Sequence, residues 1–277
     1  IAKASGSPTD VPACGTFSTR QARTYVEPSF GFVAATVEKQ GAGQAPRRSW
    51  NATTYIVDTH AGVETGTTTF PHGNLTWRAG ARGRFVVISE GSTRRGFHLC
   101  QWCGWGQAAG TGKVAEHDHL LKGGKCSGPR ELRSLAHSYE TDFVELSFAP
   151  FIAATLTPAH LRSTAYALLE GAAAALEISR DDIDGTVHRG SEGVPSLVLF
   201  DTTPGGAGNT LRITDRLSDV VSAAVRRVGS CECGPETSCY GCLRAYRNQR
   251  FHDELSRAAA LQALRVPRPP PSHDRPG

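Results

Sequence analysis

Four cysteines fall within twelve residues: Cys231-Glu-Cys233, five intervening residues, then Cys239-Tyr-Gly-Cys242. No other feature narrows so far what this chain can fold into. Zinc takes four tetrahedral ligands, with sulfur at about 2.3 Å, and a closed four-thiolate shell is a structural arrangement. The Cys-x-x-Cys half makes a tight knuckle whose Gly241 supplies conformational freedom. Gly234 and Pro235 bend the chain so that the other pair can close the tetrahedron. A metal of this kind contributes on the order of 10 kcal/mol to local folding, and so polar a segment has little else to hold it. Two disulfides are the competing arrangement. A bond between Cys231 and Cys233 would be strained, and a redox pair at Cys239 and Cys242 would leave the other two unexplained. Zinc on Cys231, Cys233, Cys239 and Cys242 is the expectation.

A second cluster begins at Cys100-Gln-Trp-Cys103 and ends at Cys126, with His117 and His119 between them. The Gly123-Gly124 turn can carry His119 back toward Cys126. The expected shell is therefore Cys100, Cys103, His119 and Cys126, with His117 as the alternative ligand; a redox pair with two surface histidines competes with it. Cys14 has no partner nearby in sequence. Eight cysteines, seven of them in two clusters, without a secretory pattern favour metal sites over disulfides. A zinc deaminase would need His-x-Glu ahead of Pro-Cys-x-x-Cys. Here the histidines follow the knuckle as His117-Asp118-His119, and four-ligand shells leave no place for a reactive water, so no catalytic residue is assigned.

The 277 residues are 39% hydrophobic and 20% charged, enough apolar material for one large domain or two smaller ones. No run of about 20 apolar residues is long enough to span a membrane, and the start lacks the pattern of a secretory signal; a cytoplasmic location is expected. The chain contains no Met, which suggests a piece of a longer protein. Its net charge of +4 permits nucleic-acid binding without demonstrating it.

The patterning predicts an α+β fold. Residues 1–130 read as a β-rich region, 131–265 as a mixed α/β domain around the four-Cys site, and 266–277 as a disordered Pro-rich tail. Phe30-Gly-Phe-Val-Ala, Thr53 to Asp58 and Arg84 to Ser89 are strand-like. Thr141 to Phe148 alternates as a half-buried strand does. Ser196 to Asp201 reads as a buried strand. Helices are expected over Ser163 to Ile178, Asp215 to Val228 and Asp253 to Leu264.

Two glycine-rich loops invite a nucleotide reading. In Gly106 to Val114 the glycine spacing is one residue too long for a phosphate-binding loop, and Val114 replaces the required Ser or Thr. Pro204-Gly-Gly-Ala-Gly208 follows a strand and precedes a helix, but its glycines miss the dinucleotide fingerprint. A tight packing turn is expected there, with a phosphate or DNA-backbone contact as the alternative.

Beyond the knuckle, Cys242-Leu-Arg244-Ala-Tyr246-Arg247-Asn-Gln-Arg250-Phe251-His252 interleaves arginines and aromatics. On a helix, Arg244, Arg247 and Arg250 would share a face. Arginines grip phosphates and aromatics stack on bases, so Arg244, Tyr246, Arg247 and Arg250 are the candidate nucleic-acid contacts. The opposing possibility is that Tyr246 and Phe251 brace the knuckle while the arginines pair with Asp253 and Glu254.

Asp201-Thr-Thr-Pro-Gly-Gly-Ala-Gly, Cys231-Glu-Cys and Ser238-Cys-Tyr-Gly-Cys-Leu-Arg-Ala-Tyr-Arg-Asn-Gln-Arg-Phe-His together resemble the MrfA-like zinc-binding domain over about Thr141 to Leu264. Such domains lie at the C-terminal end of mitomycin-repair-type DNA helicases and related defence proteins. The resemblance implies one zinc on Cys231, Cys233, Cys239 and Cys242. Phe85-Val-Val-Ile-Ser and Gly96-Phe-His-Leu-Cys-Gln-Trp-Cys-Gly resemble the DrmB component of the anti-phage DISARM system. No Walker A or DEAH-type box is present, so a helicase motor would lie in a partner or in sequence beyond this chain. The implied role is a zinc-binding, DNA-associated accessory module in defence or repair, with single-stranded or junction DNA and a helicase motor as partners. A protein-interaction scaffold with structural zinc and no nucleic-acid contact is the other reading.

Overall fold

The computed structural model describes residues 25–26, 52–58, 63–70, 73–91, 93–110, 112–149, 153–189 and 194–264. The strand expected at Phe30 to Ala34, Cys14 and the tail at 266–277 lie outside them. The elements are β1 (Tyr25–Val26), β2 (Ala52–Asp58), β3 (Glu64–Phe70), β4 (Gly73–Ser89), β5 (Phe97–Cys100), β6 (Gly106–Ala108), β7 (His117–Asp118), β8 (Lys125–Cys126), β9 (Arg130–Phe148), α1 (Pro158–Leu176), β10 (Ile183–Arg189), β11 (Pro195–Asp201), α2 (Asn209–Asp215), α3 (Leu217–Ser230) and α4 (Arg257–Leu264), with a 3₁₀ segment at Tyr246–Glu254. Among the described residues β1 to β9 precede α1 and the antiparallel strands β10 and β11 lie between α1 and α2; helices packed on a mostly antiparallel sheet make this the α+β class. No helix among the described residues is long and apolar enough to cross a membrane.

The chain divides into two compact units, one of residues 1–55 and 86–138, the other of 56–85 and 139–277. In the first, β5 pairs antiparallel with β6 and with the start of β9, and β7 pairs with β8 in a two-stranded ladder.

In the second unit the strand order is β10-β11-β9-β4, with β3 on β4. Residues 141–148 are not half-buried: all but Ser147 are buried. Val144, Leu146 and Phe148 join Leu197 and Leu199 of β11 in the main core, which α1, α3 and α4 cover. Phe143 points the other way, to Phe85, Val198 and Phe200. Glu145, which made the strand look amphipathic, accepts hydrogen bonds from Arg78 Nη2 at 2.6 Å and Ser196 Oγ at 2.6 Å. A buried carboxylate is tolerated when it is paired in this way. Strand β10, whose Ile-Asp-Gly-Thr-Val-His-Arg sequence has weak strand propensity, exists because all seven residues pair with β11.

Helix α1 starts at Pro158, five residues before the expected start. Thr157 caps it by accepting from the His160 N–H, and proline suits the first helical position because its missing N–H is not needed there. Gly171 lets α1 approach α3: a Cβ at that position would stand 2.3 Å from the Val220 carbonyl oxygen and 2.8 Å from the Ala224 Cβ. Alanine would gain about 1 kcal/mol of helix propensity, but it would force apart two helices that share the core. Gly171→Ala is expected to lower stability by about 1–3 kcal/mol, the usual cost of overpacking. A urea midpoint at or above that of the parent chain would show that the helices separate without cost.

Candidate metal centres

Helix α3 ends at Ser230, and Cys231 follows in extended conformation as its C-terminal cap. The chain turns through Gly234 and Pro235, and the knuckle closes with the N–H groups of Cys242, Leu243 and Arg244 all directed at the Cys239 carbonyl. This brings the four sulfurs together. Their separations are 3.6 Å for Cys231–Cys233, 3.5 Å for Cys231–Cys239, 3.7 Å for Cys233–Cys242 and 3.9 Å for Cys239–Cys242. A regular tetrahedron with 2.3 Å arms has edges of about 3.8 Å, so the donor set fits a four-coordinate ion. All are free thiols, at distances far beyond a disulfide bond. Amides support them: Cys239 N–H points at Cys242 Sγ at 3.2 Å and Gly241 N–H at Cys239 Sγ at 3.3 Å. A backbone hydrogen bond from Cys233 pulls the Cys231 thiol down to about 7, whereas burial pushes Cys242 up to about 12. A bound cation overrides that second effect, because a coordinating thiol is deprotonated outright.

The centre is docked onto the core by residues that the cysteine pattern does not reveal. Arg257, at the start of α4, donates to the carbonyls of Val228 at 2.8 Å, Gly229 at 3.3 Å and Cys233. It thus ties the open carbonyls ending α3 to the first half of the metal loop, a favourable place for a cation. The N–H groups of Arg257 and Ala258 donate to the carbonyls of Thr237 and Pro235. On the other side, fully buried Asn248 accepts from the Ala245 N–H and donates to the Leu243 carbonyl, both at 2.8 Å.

A match to a family of known proteins covers this segment. Residues 164–243 match the MrfA Zn-binding domain family. The matched segment runs from α1 to the residue after the fourth cysteine, so the MrfA-type segment contains the whole thiol set. A 158-residue stretch, half of the chain, is 30% identical to the Druantia protein DruE of Escherichia coli (strain UMEA 4076-1). The chain spans only 8% of the length of that relative. Among solved structures, the helicase MrfA bound to DNA aligns at 15% identity with a TM-score of 0.42, covering 77% of this chain and 24% of that one. Another structure of the helicase MrfA aligns at 16% identity with a TM-score of 0.34, covering 72% of this chain and 23% of that one.

The second cluster is assembled with one change from expectation. Cys100, Cys103 and Cys126 come together with His117, not His119, their ligand atoms all within 4.8 Å. The reason is register: His117 lies directly opposite Cys126 in the β7–β8 ladder, and directly opposed residues project to one face. His119 instead makes the following turn, its Nδ1 accepting from the N–H groups of Leu121 and Lys122 at 3.3 Å.

The residues proposed for nucleic-acid contact are divided by the structure. Tyr246, Arg247 and Arg250 are exposed on the 3₁₀ segment that follows the MrfA-type knuckle. Arg244 is not on a shared helical face with them, because the segment begins two residues later and is kinked at Asn248. Its Nε donates to buried Ser238 at 3.0 Å, bracing the metal loop. Arg247 lies 4.0 Å from Asp181. Arg250 stacks on Phe251, with Arg162 on the same ring at 3.9 Å, and it is Arg162 that pairs with Glu254.

The glycine turn at 204–208 is filled from within. Fully buried Asp201 accepts from the N–H groups of Ala207 at 2.6 Å, Asn209 at 3.1 Å and Thr210 at 2.9 Å. Asp142 takes the Gly208 N–H at 2.9 Å, and the N–H groups of Gly205 and Gly206 go to the carbonyls of Glu140 and Thr203. Gly206, at φ +82°, admits the Asp142 carboxylate where a Cβ would sit 2.2 Å from its oxygen. With every amide committed and two carboxylates in place, the loop has nothing to offer a phosphate.

Proposed function

We propose that this chain is the zinc-binding accessory part of a helicase system, and that it guides a nucleic-acid strand without supplying the motor. The observation that carries the reading is the four-sulfur tetrahedron inside a segment matching the MrfA Zn-binding domain family. Cys231, Cys233, Cys239 and Cys242 would hold the ion. Zinc in such a shell supplies folding energy and no open coordination position. The protein's own residues then do the rest: the knuckle fixes the start of the 3₁₀ segment, and the segment displays Tyr246, Arg247 and Arg250 to solvent. MrfA is described as a helicase and as bound to DNA in its solved structures, which gives the setting for the partners proposed here, a helicase motor and single-stranded or junction DNA. Anti-phage defence of the DISARM type, or DNA repair, belongs to the same proposal and rests on the sequence resemblance.

Arg247→Ala combined with Arg250→Ala is expected to weaken single-strand binding and to flatten its salt dependence. Each lost phosphate contact removes about 0.7 from the slope of log K against log salt, so the double variant should be shallower by about 1.4. The exposed Arg247–Asp181 pair contributes little to stability, so the melting temperature serves as a folding control. Fluorescence-anisotropy titrations of a labelled oligonucleotide at several salt concentrations give the slope. Binding and slope equal to those of the parent chain would leave a scaffold whose arginines serve only packing.

A further inference from the structure

The first unit has almost no apolar interior of its own among the described residues. Both hydrophobic clusters are built from residues of the second unit. The buried apolar residues of the first are Val86, Cys100, Cys103, Ala109 and Ala136, two of them thiols. Larger side chains on the loops around those thiols face solvent: Trp102 is 62% exposed, Leu120 61% and Leu121 86%. Hydrophobic burial therefore does not hold these loops together.

What converges instead is a set of ligand atoms. Cys100 ends β5, Cys103 closes the knuckle, His117 sits on β7 and Cys126 faces it on β8. Cys100 Sγ and Cys126 Sγ are 3.7 Å apart, again close to the edge of a tetrahedron around a thiolate-bound ion. Backbone hydrogen bonds are aimed at all three sulfurs, from Trp102 and Cys103 to Cys100, from Trp105 and Leu120 to Cys103, and from Gly128 to Cys126. Such N–H groups favour thiolates, the form that binds metal.

The imidazole gives an independent sign. His117 is 4% exposed and its ring stacks on Trp105 with centroids 4.4 Å apart. Its Nδ1 lies 3.5 Å from Arg130 Nη2, while its Nε2 is buried with no hydrogen-bond partner. A buried polar atom left unsatisfied is costly, and in native proteins it has a reason. A metal ion supplies one here.

We propose that Cys100, Cys103, His117 and Cys126 bind a second structural zinc ion, separate from the MrfA-type centre, which holds the loops of the first unit together. The three-sulfur, one-nitrogen set matches zinc's preference for mixed thiolate and imidazole ligands.

Elemental analysis of the reduced, purified full chain tests this, with two equivalents of zinc expected. Cys126→Ser and His117→Ala should each retain one, His119→Ala should retain two, and Cys231→Ser should retain the one held in the first unit. A parent chain carrying one zinc that Cys231→Ser abolishes would overturn this proposal while leaving the C-terminal centre standing. Loss of an equivalent in His119→Ala but not His117→Ala would overturn the ligand assignment. If the first-unit variants fail to fold, Co²⁺ titration of the metal-free parent chain decides. Thiolate charge-transfer absorption should grow through two equivalents, and saturation at one would defeat the proposal.

Discussion

Cys242→Ser is expected to lose the C-terminal metal and to unfold the segment from Cys231 through α4. A structural zinc of this type contributes on the order of 10 kcal/mol to folding, comparable to the whole stability of a typical domain. Leu243, Leu255, Ala260, Ala263 and Leu264 bury themselves in the main core, but around the metal loop itself little compensates for that loss. Gly241, Tyr240 and the loop at 235–237 are exposed, and the hydrogen bonds from Arg257, Ala258 and Asn248 reach carbonyls and amides that the metal loop itself positions. Cys242 is the most buried of the four thiols and lies within the main core cluster, so its loss also disturbs the packing of Leu243 and Leu255. Zinc content should fall by one equivalent, and limited proteolysis should open new cleavage sites between residues 231 and 264. Full zinc content with parental protease resistance would refute the four-thiolate assignment.

Asp201→Ala should cost about 3–5 kcal/mol, because three backbone N–H groups lose their acceptor and each buried donor left unsatisfied costs about 1–3 kcal/mol. The carboxylate is fully buried and three backbone N–H groups converge on it. Each hydrogen bond to a charged group is worth about 1.5–3 kcal/mol, and buried donors left unsatisfied bear their desolvation cost in full. Asp201→Asn should be nearly as harmful, since its amide N–H₂ replaces one acceptor with a donor facing another donor. Denaturant unfolding measures the loss. A change below about 1 kcal/mol would mean that water reaches these amides and the turn is more open than its burial indicates. The Asp201 carboxylate bonds the amides of the glycine turn and of α2 and none of the four cysteines, so zinc content should stay unchanged in a variant that still folds.

Much of the metal chemistry was legible because it is local. Cys231, Cys233, Cys239 and Cys242 lie close enough in sequence that spacing alone restricts where their sulfurs can go. The second cluster spans 26 residues from Cys100 to Cys126, and there spacing could not choose between two histidines. Reading the short segment around His117 as a strand opposite Cys126 would have favoured His117. The helices α1 and α3 announce themselves by period, although α1 opens at Pro158, five residues ahead of its periodic stretch. Arg257, Asn248 and Asp201 left only faint signals. An Asp closing a strand before a glycine turn and a helix can reach back to the helix amides, but Arg257 and Asn248 have no sequence signature, because their partners are carbonyls and amides that become neighbours only after folding.

The amino-acid sequence by itself determined the α+β class, the thiol groups and the basic, aromatic segment after the knuckle. These rest on short-range patterns: periodicity, turn residues and ligand spacing within a dozen positions. Tertiary structure alone decided that residues 141–148 of β9 are buried on both faces, that β10 exists, that His117 stands where His119 was expected, and that the glycine turn is closed by Asp201 and Asp142. In each of these the deciding partner is distant in sequence or set by strand register, and a one-residue change of register turns a side chain to the opposite face.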